Sequence, residues 1–267
     1  MTIGECLKYG TSEIGSRDTM LLLCHLLSNT TAYILMNEDK VLPQCEKFIQ
    51  DIGRYKNGEP MQYILGLWDF MGHTLKVDAR ALIPRPETEL LVEDALKFLQ
   101  TKSEAITVLD LCTGSGCIAA AIARAGEYNV TAADISSDAL SLAQENGEGL
   151  GIIFVQSDLF ESVQGKFDLI ISNPPYITTT EMSGLSSTVL DYEPHLALHG
   201  GMDGMDIYRR IVPDSLKFLK PGGALFLEIG PAGVKDIMEQ AGFANVQLKK
   251  DYAGLPRIVN GFAKMEE

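Results

Sequence analysis

The chain has 267 residues and a formal net charge of −14. That length suits one large domain or a small one plus a medium one, and such acidity disfavours tracking a phosphate backbone, which takes clustered Lys and Arg. Five cysteines, an odd number without metal-type spacing, fit a reducing cytosol better than a disulfide framework.

Met1-Thr2-Ile3-Gly4-Glu5 shows no basic region followed by an apolar stretch, so no signal peptide is read. No apolar run is long enough to span a bilayer, and a soluble cytoplasmic protein is expected. Up to about residue 60 the apolar residues recur with a helical period, as in Met20-Leu21-Leu22-Leu23 with Leu26-Leu27, Tyr33-Ile34-Leu35, and Phe48-Ile49 with Ile52. A small helical bundle is predicted, closed by the turn residues Asn57-Gly58-Glu59-Pro60. Between 61 and 80, Trp68 to Val77 reads as a β-hairpin turning near Gly72.

From 81 to 267 strands and helices alternate. Strands are predicted at 107–111, 130–134, 152–155, 167–172, 224–229 and 246–249, and helices at 87–100, 138–145 and 233–241. That alternation implies a mainly parallel, doubly wound sheet, whose ligands bind at the carboxyl ends of the strands.

The first of these strands runs into Cys112-Thr113-Gly114-Ser115-Gly116-Cys117 and an Ala-rich helix. Glycine allows a tight turn and close backbone approach, and the helix N-terminus favours an anion. With Asp134 ending the next strand, the loop fits a loose dinucleotide fingerprint, so by itself it indicates only an adenosine-type cofactor. The sharper motif is Asn173-Pro174-Pro175-Tyr176, after the buried run 167–172. Two prolines cannot continue a ladder, yet their carbonyls and the Asn173 side chain offer acceptors beside one aromatic face. Such a loop suits a planar group with two N–H donors, an amide or an exocyclic amine. It is what a methyltransferase acting on nitrogen needs and a dehydrogenase does not.

Together Asp110-Leu111-Cys112-Thr113-Gly114-Ser115-Gly116, Asp134 and Asn173-Pro174-Pro175-Tyr176 resemble the class I S-adenosylmethionine-dependent methyltransferases of amide and exocyclic amino nitrogens. Leu82-Ile83-Pro84-Arg85-Pro86-Glu87-Thr88-Glu89, Glu59-Pro60-Met61-Gln62-Tyr63-Ile64-Leu65-Gly66, Tyr192-Glu193-Pro194 with Gly200-Gly201 and Asp203-Gly204, and Asp251 to Arg257 extend the similarity to the protein-(glutamine-N5) methyltransferase family over nearly the full length. One departure is Cys112, where the family usually has Gly.

The resemblance implies a Rossmann-like α/β fold with a mainly parallel sheet (81–267), a hairpin linker (61–80) and an N-terminal helical bundle (1–60) that docks the substrate. It implies S-adenosyl-L-methionine as cofactor, with Cys112, Thr113, Gly114, Ser115 and Gly116 around its methionine end, their amides toward its carboxylate. Asp134 would take the ribose hydroxyls, and Asp158 and Leu159 would flank the adenine. Asn173, Pro174, Pro175 and Tyr176 would hold the substrate, with Arg85 at the rim. The implied substrate is the Gly-Gly-Gln glutamine of peptide chain release factors. A ribosomal-protein glutamine and, more remotely, an adenine-N6 or guanine-N2 in nucleic acid remain alternatives. His195 and His199 have an i,i+4 spacing, but flanking Pro and Gly and the lack of a third ligand argue against a metal site.

Overall fold

Capping chemistry sets the first helices of the computed structural model, which describes residues 1–102, 105–230 and 233–265. Residues 103, 104, 231, 232, 266 and 267, all within the expected catalytic segment, lie outside the described residues. Contacts divide the chain into Met1–Leu67 with Ser186–Tyr192, and Trp68–Leu185 with Glu193–Glu267.

The first unit holds α1 (Ile3–Ile14), α2 (Ser16–Leu27), α3 (Thr31–Met36), α4 (Cys45–Lys56) and α5 (Met61–Leu65). Thr2 and Glu5 form a reciprocal capping box at the start of α1. Gly15, at φ 85, separates α1 from α2. Cys6, Leu22, Leu23, Ile34, Phe48 and Ile52 are buried together. A Cβ at Gly10 would sit 2.5 Å from Thr19 Cγ2 and 3.0 Å from Phe48 Cζ, so α1 packs through small residues. Its buried face combines Gly4 and Gly10 with Ile3 and Cys6, and Leu7 and Ile14 pack against the same cluster. Tyr192, from the later segment of this unit, donates its hydroxyl to Asn57 O at 3.1 Å.

The hairpin is β1 (Leu67–Phe70) and β2 (His73–Lys76). Its turn residues Met71 and Gly72 both have positive φ, 52° and 73°, the type I′ geometry that matches strand twist. A left-handed Met costs about 1–2 kcal/mol. Burial of Phe70 and Leu75 contributes about 1.5–3 kcal/mol each and decides the matter. Glu89 also accepts the Met71 N–H at 2.6 Å.

There follow α6 (Pro86–Leu99), β3 (Thr107–Leu111), α7 (Cys117–Ala125), β4 (Asn129–Asp134), α8 (Ser137–Asn146), β5 (Ile153–Gln156) and β6 (Phe167–Ser172). After α9 (Thr179–Met182) and α10 (Ser187–Tyr192, grouped with the first unit) come α11 (Asp206–Phe218), β7 (Leu219–Glu228), α12 (Val234–Ala241), β8 (Ala244–Lys250) and β9 (Pro256–Phe262). Strand order is β5-β4-β3-β6-β7-β9-β8, with β3 to β7 parallel and β9 antiparallel to both neighbours. The chain reverses its direction of travel across the sheet between β3 and β6, so a crevice opens at their carboxyl ends.

The predicted mainly parallel sheet is present, with an antiparallel edge that includes an unpredicted strand, β9. Pro256 and Asn260-Gly261 read as turn chemistry. In the fold Pro256 takes the first strand position, which needs no donor. A Cβ at Gly261 would meet Met238, Phe243 and Val246 at 3.0 to 3.2 Å, so a side chain there would crowd its neighbours. Leu91, Val92 and Ala95 of α6 and the Ala-rich α7 join one buried cluster; Tyr208, Ile211 and Val212 of α11 join the other. Among the described residues no helix is long and apolar enough to cross a membrane.

Candidate active site

β3 delivers Asp110, fully buried, to the base of the glycine loop. Its Oδ2 accepts from Thr113 Oγ1 at 2.5 Å and from Ala119 N at 3.1 Å, which binds loop to helix. Burial pushes this carboxyl up to about 7, against the downward pull of those two bonds. The loop then turns through left-handed conformations at Cys112 (φ 56), Gly114 (φ 55) and Gly116 (φ 76). Gly116 is obligatory for a second reason, since its Cβ would lie 2.9 Å from that of Ala143 in α8. A Cβ at Gly114 would meet nothing within 4 Å, and this residue lines the cavity.

The expectation that the loop turns its amides toward a cofactor carboxylate needs correcting in part. Thr113 N donates to Ala133 O, Gly116 N to Thr113 O, and Gly114 N to Asp134 Oδ2 at 2.8 Å. A turn this tight satisfies those donors internally. Ser115 also lines the cavity, but its hydroxyl oxygen is buried, next to the Cys117 thiol. Asn146, unremarked in the sequence, holds the loop from behind by donating to Ser115 O at 2.9 Å and Lys76 O at 3.0 Å.

Asp134 ends β4 beside this loop, its oxygens oriented by Gly114 N and Ser136 N. Burial raises its carboxyl above the ordinary value, with the backbone donors opposing. After β5, Ser157 N bonds Asp134 O, and Ser157 Oγ donates to Leu159 O at 2.8 Å. These bonds secure Leu159 at φ 50. Asp158 pairs with Arg210 of α11 at 2.8 Å.

β6 ends at Asn173. Its Nδ2 donates to Thr88 Oγ1 at 3.0 Å, and Thr88 donates to Glu228 Oε2 at 2.6 Å. Thr88 and Glu228 are both buried, at 2% and 1% exposure. Burial pushes Glu228 up to about 7, with the Thr88 bond and the Arg257 charge opposing. Tyr176 Oη lies 3.5 Å from Glu228 Oε1 and 3.4 Å from Arg257 Nη1. Its ring lies over Gly230, where a Cβ would come within 2.3 Å. Tyr176 is thus anchored at both ends, and its hydroxyl is pushed up to about 12, chiefly by burial.

The backbone of this motif is clamped by the Gly-rich segment that follows Pro194. Ile177 N bonds Leu198 O, and Gly200 N bonds Ile177 O, each at 2.9 Å. Cβ atoms at Gly200 and Gly204 would fall 2.6 Å from Tyr176 Cα and 2.3 Å from Tyr176 O. Arg85 pairs with buried Glu193 at 2.6 Å, and Glu193 also accepts from Ile83 N. His199 Nε2 is 2.9 Å from Thr179 Oγ1. Among the described residues no three His, Cys, Asp or Glu side chains could hold a metal together.

A cavity of about 270 Å³ gathers Arg85, Cys112, Thr113, Gly114, Ser115, Asp134, Asp158, Leu159, Asn173 and Pro175 on its walls. Gly116, Pro174 and Tyr176, predicted with them, are adjacent in sequence to wall residues but are not themselves among the residues lining this cavity. Thr88 and Arg210 are wall residues that motif reading did not single out. A charged residue closing a buried strand, as Glu228 does, was the available signal for the network behind Asn173. Two carboxylates and apolar walls fit a nucleoside carrying a polar arm, and S-adenosylmethionine is such a molecule.

Residues 5–66 match the PrmC N-terminal domain family and residues 87–190 the methyltransferase small domain family. The chain is 37% identical to a release factor glutamine methyltransferase from Clostridium acetobutylicum, over 95% of this chain and 93% of that one. It is 46% identical to one from Streptococcus pneumoniae, over 75% and 73%. Among solved structures it is similar to a 16S rRNA N2 methyltransferase of T. thermophilus in complex with AdoMet and guanosine, at 20% identity and TM-score 0.56, covering 74% of this chain and 50% of that one. That last likeness concerns the fold.

Proposed function

The chain belongs to the family of release factor glutamine methyltransferases, and we propose that it methylates N5 of the Gly-Gly-Gln glutamine in peptide chain release factors. The observation that carries this reading is Asn173, held at the β6 terminus by Thr88 with no bond to its Oδ1 among the described residues, on one cavity wall with Asp134 and the glycine loop.

S-adenosylmethionine, when bound, supplies an electrophilic methyl group on a sulfonium sulfur. Asp134 would accept from the ribose hydroxyls with oxygens already aimed by Gly114 N and Ser136 N. Cys112 to Ser115 would line the methionine arm. Leu159 and Asp158 would border the adenine.

A primary amide nitrogen is a weak nucleophile because its lone pair is delocalised. Asn173 Oδ1 and the Pro174 carbonyl would each accept one of its N–H groups, fixing the nitrogen in line with the methyl and stabilising the charge that develops on it. Tyr176, fixed by Glu228 and Arg257, would hold the flat amide. The proton leaves after transfer, so no strong base is required.

The helical unit, which carries none of these groups, serves as the docking module for the protein substrate. Net acidity supports a protein partner over nucleic acid, and the cytoplasm is where release factors work. Incubation with methyl-labelled cofactor and, separately, release factor, ribosomal protein and RNA, with mass spectrometry of the product, tests this. Label is expected on the Gly-Gly-Gln glutamine, and Asn173→Ala should lose at least about a hundredfold in rate while remaining folded. Label confined to nucleic acid would refute the reading.

A further inference from the structure

The amide of Asn173 can work as described only if its oxygen faces the substrate. A side-chain amide turned by half a rotation would present two donors, which repel the N–H groups of a glutamine. The chain contains a device that decides between these orientations. Thr88 has one hydroxyl proton, and Glu228 takes it at 2.6 Å. While Glu228 is ionised, Thr88 can only accept toward Asn173, 3.0 Å away, so the NH₂ of Asn173 is drawn to it and Oδ1 is directed away. Glu228 is anchored in turn by its place at the end of β7 and by Tyr176 Oη at 3.5 Å.

We propose that Thr88 and Glu228 are positioning residues that set the polarity of the Asn173 amide, and through it the acceptance of an amide N–H donor. This rests on the methyl-transfer reading above and extends it to residues that need not touch the transferred methyl. The arrangement has a stability cost: among the described residues, a carboxyl at 1% exposure has its hydrogen bonds to Thr88 and, at longer range, Tyr176. A leucine there would suit the surrounding apolar strand better. A group kept at the expense of stability beside an active site is expected to serve the site.

The test compares Thr88→Val, which keeps the shape and removes the hydroxyl, with Thr88→Ser, which restores it. Turnover on release factor, cofactor affinity and melting temperature are measured for both, together with the exchange rate of the Asn173 side-chain amide protons by NMR. Thr88→Val is expected to lose about ten- to a hundredfold in kcat with cofactor affinity changed less than about threefold, and Thr88→Ser to recover most of that loss. One Asn173 amide proton should be slow to exchange in the wild type and in Thr88→Ser and fast in Thr88→Val. Glu228→Leu should lose kcat while melting no lower than the wild type.

Equal kcat in Thr88→Val and wild type, or an unprotected Asn173 amide in the wild type, would overturn the proposal. So would a Thr88→Ser variant as impaired as Thr88→Val. A wild-type protein that methylates no release factor while the amide protection holds would instead overturn the substrate assignment and leave the polarity device standing.

Discussion

Cys112 is the residue where sequence and backbone disagree most. It sits at φ 56, where an L side chain costs about 1–2 kcal/mol, in a loop that otherwise places glycine at its left-handed positions. Replacing it by glycine removes that strain but enlarges the freedom of the unfolded chain by about 0.5–1 kcal/mol. The two effects nearly cancel, so Cys112→Gly should shift stability by less than about 1 kcal/mol in urea denaturation. Cys112→Val adds a β-branched side chain at the same φ and should destabilise by more than about 2 kcal/mol, with weaker cofactor binding. A thiol on the wall of the proposed cofactor cavity must also be kept from competing for the methyl group. Burial raises the Cys112 thiol well above its ordinary value, and the Asp134 carboxylate adds to the effect. It therefore stays protonated and a poor nucleophile at neutral pH.

Among the elements, the segment from Pro194 to Gly204 both lines the cavity, through Pro194, Leu196, Ala197 and His199, and braces the motif beside it. Its glycines touch the Tyr176 backbone, which cannot retreat without moving Asn173. Gly200→Ala would bring a methyl group 2.6 Å from Tyr176 Cα and 2.8 Å from Pro175 O. It should lower kcat by more than about tenfold and depress the melting temperature. Gly184→Ala meets only Glu181 O, at 3.5 Å, and should do neither.

That loop also marks the limit of what local sequence conveys. The buried runs at 107–111 and 167–172 were legible because a parallel strand buried on both faces is apolar throughout. The Gly114–Gly116 turn was legible because left-handed positions at a strand-to-helix turn favour glycine, and Asn173 was legible as a polar residue directly after a buried strand. Strand β9 was not, because its Pro256 and Asn260-Gly261 have tertiary reasons. Nor was the Thr88–Glu228 pair, whose members are 140 positions apart and acquire meaning only when α6 and β7 meet behind Asn173.

For the whole molecule, acidity and buried carboxyls together set the response to pH. Asp110 and Glu228 are both raised to about 7, in each case first by burial. A carboxyl whose folded pKa exceeds its unfolded value, near 4, stabilises the fold fully below that value and loses the contribution as pH rises to about 7. The partnered surface carboxylates work in the opposite sense. Asp78, held down by Arg80, and Glu145, held down by Lys76 and Arg80, add stability that disappears only as pH falls below about 4. Above neutrality the charge of −14 adds self-repulsion that no buried group relieves. Stability should therefore peak on the acid side of neutrality, and the melting temperature should fall between about pH 5.5 and about pH 8. Glu228→Gln removes one of the two titrating groups and keeps an acceptor for Thr88, so its melting curve should be flatter across that interval. A wild-type melting temperature that climbs steadily to about pH 8 would mean that the surface ion pairs, and not these two buried carboxyls, govern the response.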